Sequence, residues 1–374
     1  MDFDLTDEQR MLADSVHRFV SGAYPDLETR KAYRAAPGGY AAANWAAMAE
    51  MGLLALPLPE DQGGFGGGPV ETMIVMEAFG RGLVVEPYLA SIVLGLGLLR
   101  RAGGQDALVA QVAAGELTLA FAHQERQARH DLYDVATAAR RDGAAWVLDG
   151  AKGVVLHGDS AGRLIVSARI AGGRRDRDGI GLFLLDPATA GVTRRGYATQ
   201  DGLRAAEVVL ESARATLLAG NALPLIEWVA DEAIAAICAE AVGAMETLRD
   251  LTVDYLKTRQ QFGQAIGTFQ ALQHRAADML VATEQARSMT MYAAMMLQES
   301  DPVARGTALS AAKALVGRLA DQLGKEAIQL HGGIAMTEEY KAGHYFKRLS
   351  MLGVLFGDVD HHLRRVVAAG GLPE

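Results

Sequence analysis

The sequence predicts an α+β multidomain fold in which helices come first, a β domain follows and helices return. Three observations carry this. Apolar positions recur at one-face helical spacing from Thr6 to about Ala114, short β-type runs divided by turn residues occupy about Leu117 to Ala222, and long helical patterns resume from Pro224. The 374 residues also exceed the roughly 250–300 at which a single core usually stops growing, so more than one domain is expected. The expected divisions are a helical domain over 1–115, a middle β domain over 116–222 and a helical C-terminal domain over 223–374.

At the first helix, Thr6 followed three residues later by Gln9 is a capping-box signature, and Leu12, Val16, Phe19 and Val20 share a face. The stretch "PLPEDQGGFGGGPVE" then interrupts the helices; its glycines permit tight turns or close backbone approach, and a plain linker is the alternative. In the β region "AAWVLDG", "GRLIVSARI", "IGLFLLD" and "AEVVLES" are strand candidates, divided by the turn formers "RRDG" and "GGRRDRDG". Beyond Pro224, Ile234, Ile237, Cys238, Ala241, Met245 and Leu248 fall on one helical stripe.

Composition narrows the function. A net charge of -9 argues against nucleic acid as a main partner, which leaves a small molecule or another protein. Cys238 is the only cysteine, so neither an intrachain disulfide nor a cysteine-clustered metal site is expected. No apolar run approaches the roughly 20 residues that span a bilayer, and the acidic start "MDFDLTDEQR" is unlike a signal sequence. A cytoplasmic protein without membrane insertion is the expectation.

Two fragments carry chemistry. In "RQQFGQAIGTFQALQH", residues 259–274, Arg259 offers a planar fork for phosphate, Phe262 can lie against a flat ring, and Gly263 lets another backbone come close. That combination suits a nucleotide diphosphate, although a surface Arg beside a helix break has the same appearance. In "IQLHGGIAMTEEY", residues 328–340, Gln329, His331 and the Gly332-Gly333 pair follow another long helix, where Gly-Gly is also an ordinary helix stop.

Together these fragments make the chain resemble the acyl-CoA dehydrogenase family over essentially its whole length, from "MDFDLTDEQRMLADSV" and "MGLLALPLPEDQGGFGG" to the C-terminal helices. "TRQQFGQAIGTFQALQ" is similar to the family's R-x-x-F-G…Q segment, and "QLHGGIAMTEEY" to its Q-x-x-G-G…E-Y segment. The resemblance implies a helical N-terminal domain, a β-barrel-like middle domain and a C-terminal four-helix bundle. It also implies FAD at the junctions and at a subunit interface, reached from a neighbouring subunit by Arg259, Phe262, Gln270, Gln329, Gly332 and Gly333. The implied reaction is 2,3-desaturation of an acyl-CoA thioester within fatty-acid β-oxidation, with an electron-transfer flavoprotein as acceptor. Such a reaction needs a carboxylate base for the weakly acidic α-proton and a flavin for the β-hydride; a general base typically contributes 10²–10⁴-fold.

The sequence departs from the family at that base. Where the Glu-Gly-Thr triplet is expected beyond the Gly-Gly, this chain has Phe356, Gly357 and Asp358. Some members place the Glu on the preceding helix instead, but the matching position is Ile234, and Glu232 lies two residues off, about 200° around a helix. Asp358, Asp360 and Glu232 are therefore candidates only through a register shift, a solvated carboxylate being the alternative for each. In the middle domain "QERQARHD" stands for T-E-P-x-A-G-S-D, and Val154, Val155 and Leu156 stand for W-I-T beside the flavin ring. His123 and Gln124 add polar groups there and, with Val154, Val155 and Leu156, are weaker cofactor-contact candidates; "DGLRAAE" keeps Arg204 but has Ala206 for the Ser.

The half of the site that would pack on the chain's own flavin ring is thus eroded, while the half offered to a neighbour is intact. That pattern is most similar to the small, base-lacking subunits of heteromeric family members, such as those of pimeloyl-CoA dehydrogenases, and implies a second dehydrogenase subunit in a dimer of dimers. A dicarboxylyl thioester substrate is the corresponding expectation. The alternatives are a self-sufficient homo-oligomer with a relocated base and a non-catalytic acyl-CoA- or flavin-binding homologue. A wide apolar stripe that includes Met245, Leu248, Met279 and Leu280 is expected to need a subunit interface to cover it.

Overall fold

The structure, a computed structural model, describes residues 5–143 and 145–371; the first four residues of the acidic start lie outside the described residues. It divides into two compact units. Of the described residues, one comprises 5–31, 68–84 and 234–371, the other 32–67, 85–143 and 145–233.

In the first unit, helix α1 (Asp7–Ala23) opens with the expected capping box: Thr6 Oγ1 accepts the Gln9 N–H at 3.2 Å and Gln9 Oε1 accepts the Thr6 N–H at 3.0 Å. Helix α2 (Leu27–Ala35) begins here, and α1 packs on α4 (Pro69–Gly82). Helix α7 (Leu223–Thr258) runs through the boundary between the units. It meets α4 backbone to backbone: a Cβ at Gly80 would run into the Glu240 carbonyl, and one at Gly243 into that of Glu77. Glycine is required at both for steric reasons, not conformational ones. Along that helix Ile234, Ile237, Cys238 and Ala241 are buried on one face.

Helices α8 (Gln270–Met296), α10 (Lys341–Val354) and α11 (Val359–Ala368) pack around α9 (Pro302–His331) to give the C-terminal helical domain. A buried bidentate pair, Arg348 to Glu240 at 2.6 and 2.7 Å, ties α10 to α7. The expected wet stripe is corrected here. Met245, Leu248 and Met279 are buried within the chain because they face its own core, and only Leu280, 48% exposed, is left outside. Other exposed apolar side chains of this unit include Phe262, Val281, Ile334 and Met336.

In the second unit, α3 (Ala42–Glu50), a π-helical segment (Leu89–Leu96), α5 (Gly97–Ala102) and α6 (Asp106–Ala113) precede the β domain. The strands are β1 (Leu119–Ala122), β2 (Ala138–Asp142), β3 (Ala145–Leu156), β4 (Arg163–Arg169), β5 (Ile180–Leu185), β6 (Val192–Ala198) and β7 (Arg204–Ala219). Strand β4 pairs with β5, β5 with β7, β7 with β3 and β3 with β2, and Ala138 of β2 pairs back to Arg169 of β4. The sheet therefore closes on itself as a barrel around Leu148, Val166, Phe183, Val208 and their neighbours, leaving few open edges. Most of "RRDG" is strand rather than turn: Arg140–Asp142 continue β2, and Gly143, with φ 63°, starts the turn. No helix among the described residues is long and apolar enough to cross a membrane.

Candidate functional site

The first candidate segment begins where α7 stops at Thr258. A two-stranded hairpin follows, β8 (Gln260–Gln261) and β9 (Gln264–Ala265), joined by Phe262 and Gly263 at φ 56° and 79°. Two successive positive φ values make the mirror-image turn that suits tight hairpins, and a phenylalanine there is strained. Phe262 is nonetheless 90% exposed at the tip, in edge contact with Phe269 at 6.1 Å. Arg259 is anchored through its backbone, donating to Tyr255 O at 2.8 Å, while no carboxylate among the described residues pairs with its exposed guanidinium. Gln270 is exposed as the first residue of α8.

The second segment lies in the same unit. Gln329 is exposed in the last turn of α9, and Gly332 ends that helix at φ 68°. A Cβ on Gly263, Gly332 or Gly333 would meet nothing within 4 Å. Gly333 has neither a positive φ nor a crowded Cβ, so the chain's own packing does not require glycine there. An unpaired guanidinium, an exposed ring and a bare glycine backbone fit a nucleotide diphosphate approached from outside this chain.

The middle-domain candidates behave differently. Strand β3 carries an irregularity between Lys152 and Val155, and Val154 takes φ 50° within it. Val155 points into the barrel core, which removes its side chain from the cofactor candidates, because the irregular register sends it inward. Leu156 pairs with Ala205 of β7, and Gln124 spends its carbonyl on the Gly153 N–H at 2.9 Å. His123 places Nδ1 2.8 Å from Ser167 Oγ, and burial lowers its pKa to about 3, so the ring is neutral. Beneath it Lys152 donates to Glu125 Oε1 at 2.6 Å and to Ser167 Oγ at 3.1 Å. Burial lowers the lysine to about 8; burial also opposes ionisation of Glu125, but Lys152 and its hydrogen bonds hold that carboxyl down at about 2. The hollow above, about 480 Å3, is lined by Gln124, Arg126, Val154, Arg195 and Glu207, and the Tyr197 hydroxyl donates to Glu207 at 3.3 Å beside it.

Around the expected base position the structure places Phe356 in the left-handed region, φ 57°, followed by Gly357 at φ 118°. The loop is held from below by Lys313, which spends its ammonium on the carbonyls of Leu352 at 2.9 Å, Gly353 at 2.9 Å and Gly357 at 3.1 Å. A cation on the last carbonyls of α10 is favoured by the helix dipole, although burial still lowers this lysine to about 8. His362 donates to Phe356 O at 3.1 Å, and burial leaves its ring neutral. Asp358 caps α11, accepting the His361 N–H at 2.8 Å, and Asp360 is exposed in that helix's first turn. In the other unit Glu232 is engaged by Arg101 at 2.6 Å and by Trp228 Nε1 at 3.3 Å. Lys313 was not singled out in the sequence, yet a lone lysine within the small-residue run "SAAKALVG" is a signal for a buried, satisfied cation.

Family models match nearly the whole chain: the acyl-CoA dehydrogenase N-terminal domain over residues 6–115, its middle domain over 120–213 and its C-terminal domain over 223–371. The chain belongs to the acyl-CoA dehydrogenase family. It is 31% identical to the acyl-CoA dehydrogenase IpdE2 of Mycobacterium tuberculosis, covering 96% of each chain, and 28% identical to the probable acyl-CoA dehydrogenase YngJ of Bacillus subtilis, covering 99% of each. Among solved structures it is similar to the Tcur3481-Tcur3483 steroid ACAD, with a TM-score of 0.88, 27% identity and 97% of each chain covered. As an acyl-CoA dehydrogenase it is an FAD flavoprotein and an oxidoreductase acting on CH–CH donors.

Proposed function

We propose that this acyl-CoA dehydrogenase is the base-lacking subunit of a heteromeric enzyme, contributing Arg259, Phe262, Gln270, Gln329, Gly332 and Gly333 to a shared FAD site while a partner subunit supplies the catalytic carboxylate. The observation that carries this reading is Phe356, built into a clamped loop where a carboxylate is expected, with Asp358 used as a helix cap and Glu232 in an ion pair. Bound at that site, FAD would supply the hydride acceptor for the β-hydrogen of the thioester. This chain's residues bind and orient. Arg259 neutralises diphosphate charge through its fork, Gly333 admits the cofactor's close approach, and Phe262 gives an apolar surface that excludes water. The partner's carboxylate removes the α-proton.

Support for a heteromeric assembly also comes from the similar steroid ACAD, which is named for both Tcur3481 and Tcur3483. For the acyl group we propose a dicarboxylyl thioester such as pimeloyl-CoA, and for the acceptor an electron-transfer flavoprotein. Co-expression with a base-containing dehydrogenase subunit tests the assembly: a stable complex that is yellow and desaturates acyl-CoA with a dye acceptor is expected. A panel of monocarboxylyl, dicarboxylyl and steroid-side-chain thioesters tests the substrate, and equal or faster turnover of the non-dicarboxylyl members would rule out the dicarboxylyl assignment.

A further inference from the structure

His331 lies within the second segment assigned to the shared site, between Gln329 and Gly332, and nothing in that assignment uses it. Its ring is 3% exposed, at the last residue of α9. Tyr255, from the last turns of α7, lies against it with centroids 4.7 Å apart, and Tyr340, the residue before α10, lies 5.1 Å away on a tilted plane. The two tyrosines are themselves in edge contact at 6.4 Å. Three chain segments therefore meet on one imidazole.

The ring's chemistry is fixed by its surroundings. Nδ1 faces the Ala327 carbonyl at 2.8 Å; a carbonyl only accepts, so Nδ1 carries the proton and Nε2 is bare. Nε2 is buried and makes no hydrogen bond of normal geometry. Burial lowers the pKa despite the opposing carbonyls of Ala327 and Leu251, so the ring is neutral. A neutral, flat, immobile ring is suited to stacking.

The same stack touches both halves of the donated surface. The carbonyl of Tyr255 accepts the Arg259 N–H at 2.8 Å, so displacement of Tyr255 moves the root of the hairpin. His331 itself is followed directly by Gly332 and Gly333. Helix α8, which follows the hairpin, is tied to α9 by the ion pair of Arg275 and Glu326, and the His331 stack adds a contact at the loops themselves, where a diphosphate recognised by both needs their register held before it binds.

We propose that His331 is a positioning residue: clasped by Tyr255 and Tyr340, it locks the Arg259 hairpin and the Gly332-Gly333 turn into one preorganised FAD-binding surface. This deepens the shared-site reading and rests on it for the identity of the ligand. The interaction is aromatic contact, so phenylalanine should substitute for histidine while leucine, of similar size but without a stacking face, should not.

The test uses His331→Phe, His331→Leu and Arg259→Ala in the assembled protein, with FAD affinity from flavin fluorescence and amide hydrogen exchange over residues 259–270 and 332–336. His331→Leu should speed exchange in both segments together and weaken FAD roughly tenfold, the scale of losing two aromatic contacts. His331→Phe should leave both readouts near wild type. Unchanged exchange in His331→Leu, a change confined to one segment, or His331→Phe failing as badly as His331→Leu would overturn the proposal. Should His331→Leu not fold, Tyr340→Leu removes one side of the same stack and carries the same expectation. If Arg259→Ala retains FAD fully, the shared-site reading fails by itself, and the exchange data still decide whether His331 couples the two segments.

Discussion

Glu232 and Arg101 form an ion pair at 2.6 Å, with side chains 27% and 24% exposed. The same guanidinium donates to Gly97 O at 3.1 Å and lies 5.2 Å from the centre of the Trp228 ring. Glu232 is therefore occupied in holding α7 to α5 within its unit. Glu232→Gln should lower stability by about 1 kcal/mol, in the range of a partly exposed pair, and leave turnover of the assembled enzyme unchanged. Thermal unfolding beside a dye-linked assay checks both; a large fall in turnover without a fall in stability would make Glu232 the base.

Arg259 has no carboxylate partner among the described residues, so truncating it removes no internal contact of its guanidinium. Arg259→Ala should leave the melting temperature of the FAD-free protein unchanged while FAD is lost on gel filtration. The charge-assisted bonds lost are each worth about 1.5–3 kcal/mol, a tenfold or greater weakening.

Phe356 supplies a complementary test. Its loop is already clamped by Lys313, so Phe356→Glu introduces a carboxylate without needing a new backbone arrangement. On the proposed reading the flavin-ring contacts come from the partner subunit, so the variant should gain little activity when purified alone. Asp358→Ala should cost about 1 kcal/mol through loss of the α11 cap, without a matching effect on turnover.

The pair of Lys152 and Glu125 governs acid stability. The folded pKa of Glu125 is about 2 against an ordinary 4.5, so the folded state favours the ionised carboxylate. That stability is fully present above pH 4.5 and drains away as the pH falls from there towards 2. Glu125→Gln leaves a buried lysine without its counter-charge and should cost about 3–5 kcal/mol, measured by urea unfolding at neutral pH. The variant's stability should also depend less on pH across the acid range.

The order of helices, barrel and helices was legible because periodicity is a local property. The runs at "GRLIVSARI" and "IGLFLLD" became β4 and β5, and Thr6 with Gln9 made the expected box. Strands β1, β2 and β6 escaped notice: β6, "VTRRGYA", is largely polar and exposed, and β1 has only four residues, so neither shows clear alternation. The fragments holding Arg259 and Gly332-Gly333 were visible from their glycines and aromatic ring. The roles of Lys313, His331 and Arg101 were not, because each depends on partners distant in the chain: Lys313 on the end of α10, His331 on Tyr255, and Arg101 on Glu232. The apolar stripe misled because helical spacing marks an apolar face without saying whether the chain itself covers it.

On the proposed reading this chain presents a cofactor-binding surface to a partner and carries no base of its own. The most direct measurement is acyl-CoA desaturation with a dye acceptor by the chain purified alone with added FAD, set against the same chain co-purified with a base-containing subunit. The isolated chain should be slower by about 10²-fold or more, the scale of a missing general base, and Asp358→Asn and Asp360→Asn should change nothing. Robust turnover by the isolated chain, abolished by either Asn variant, would contradict it.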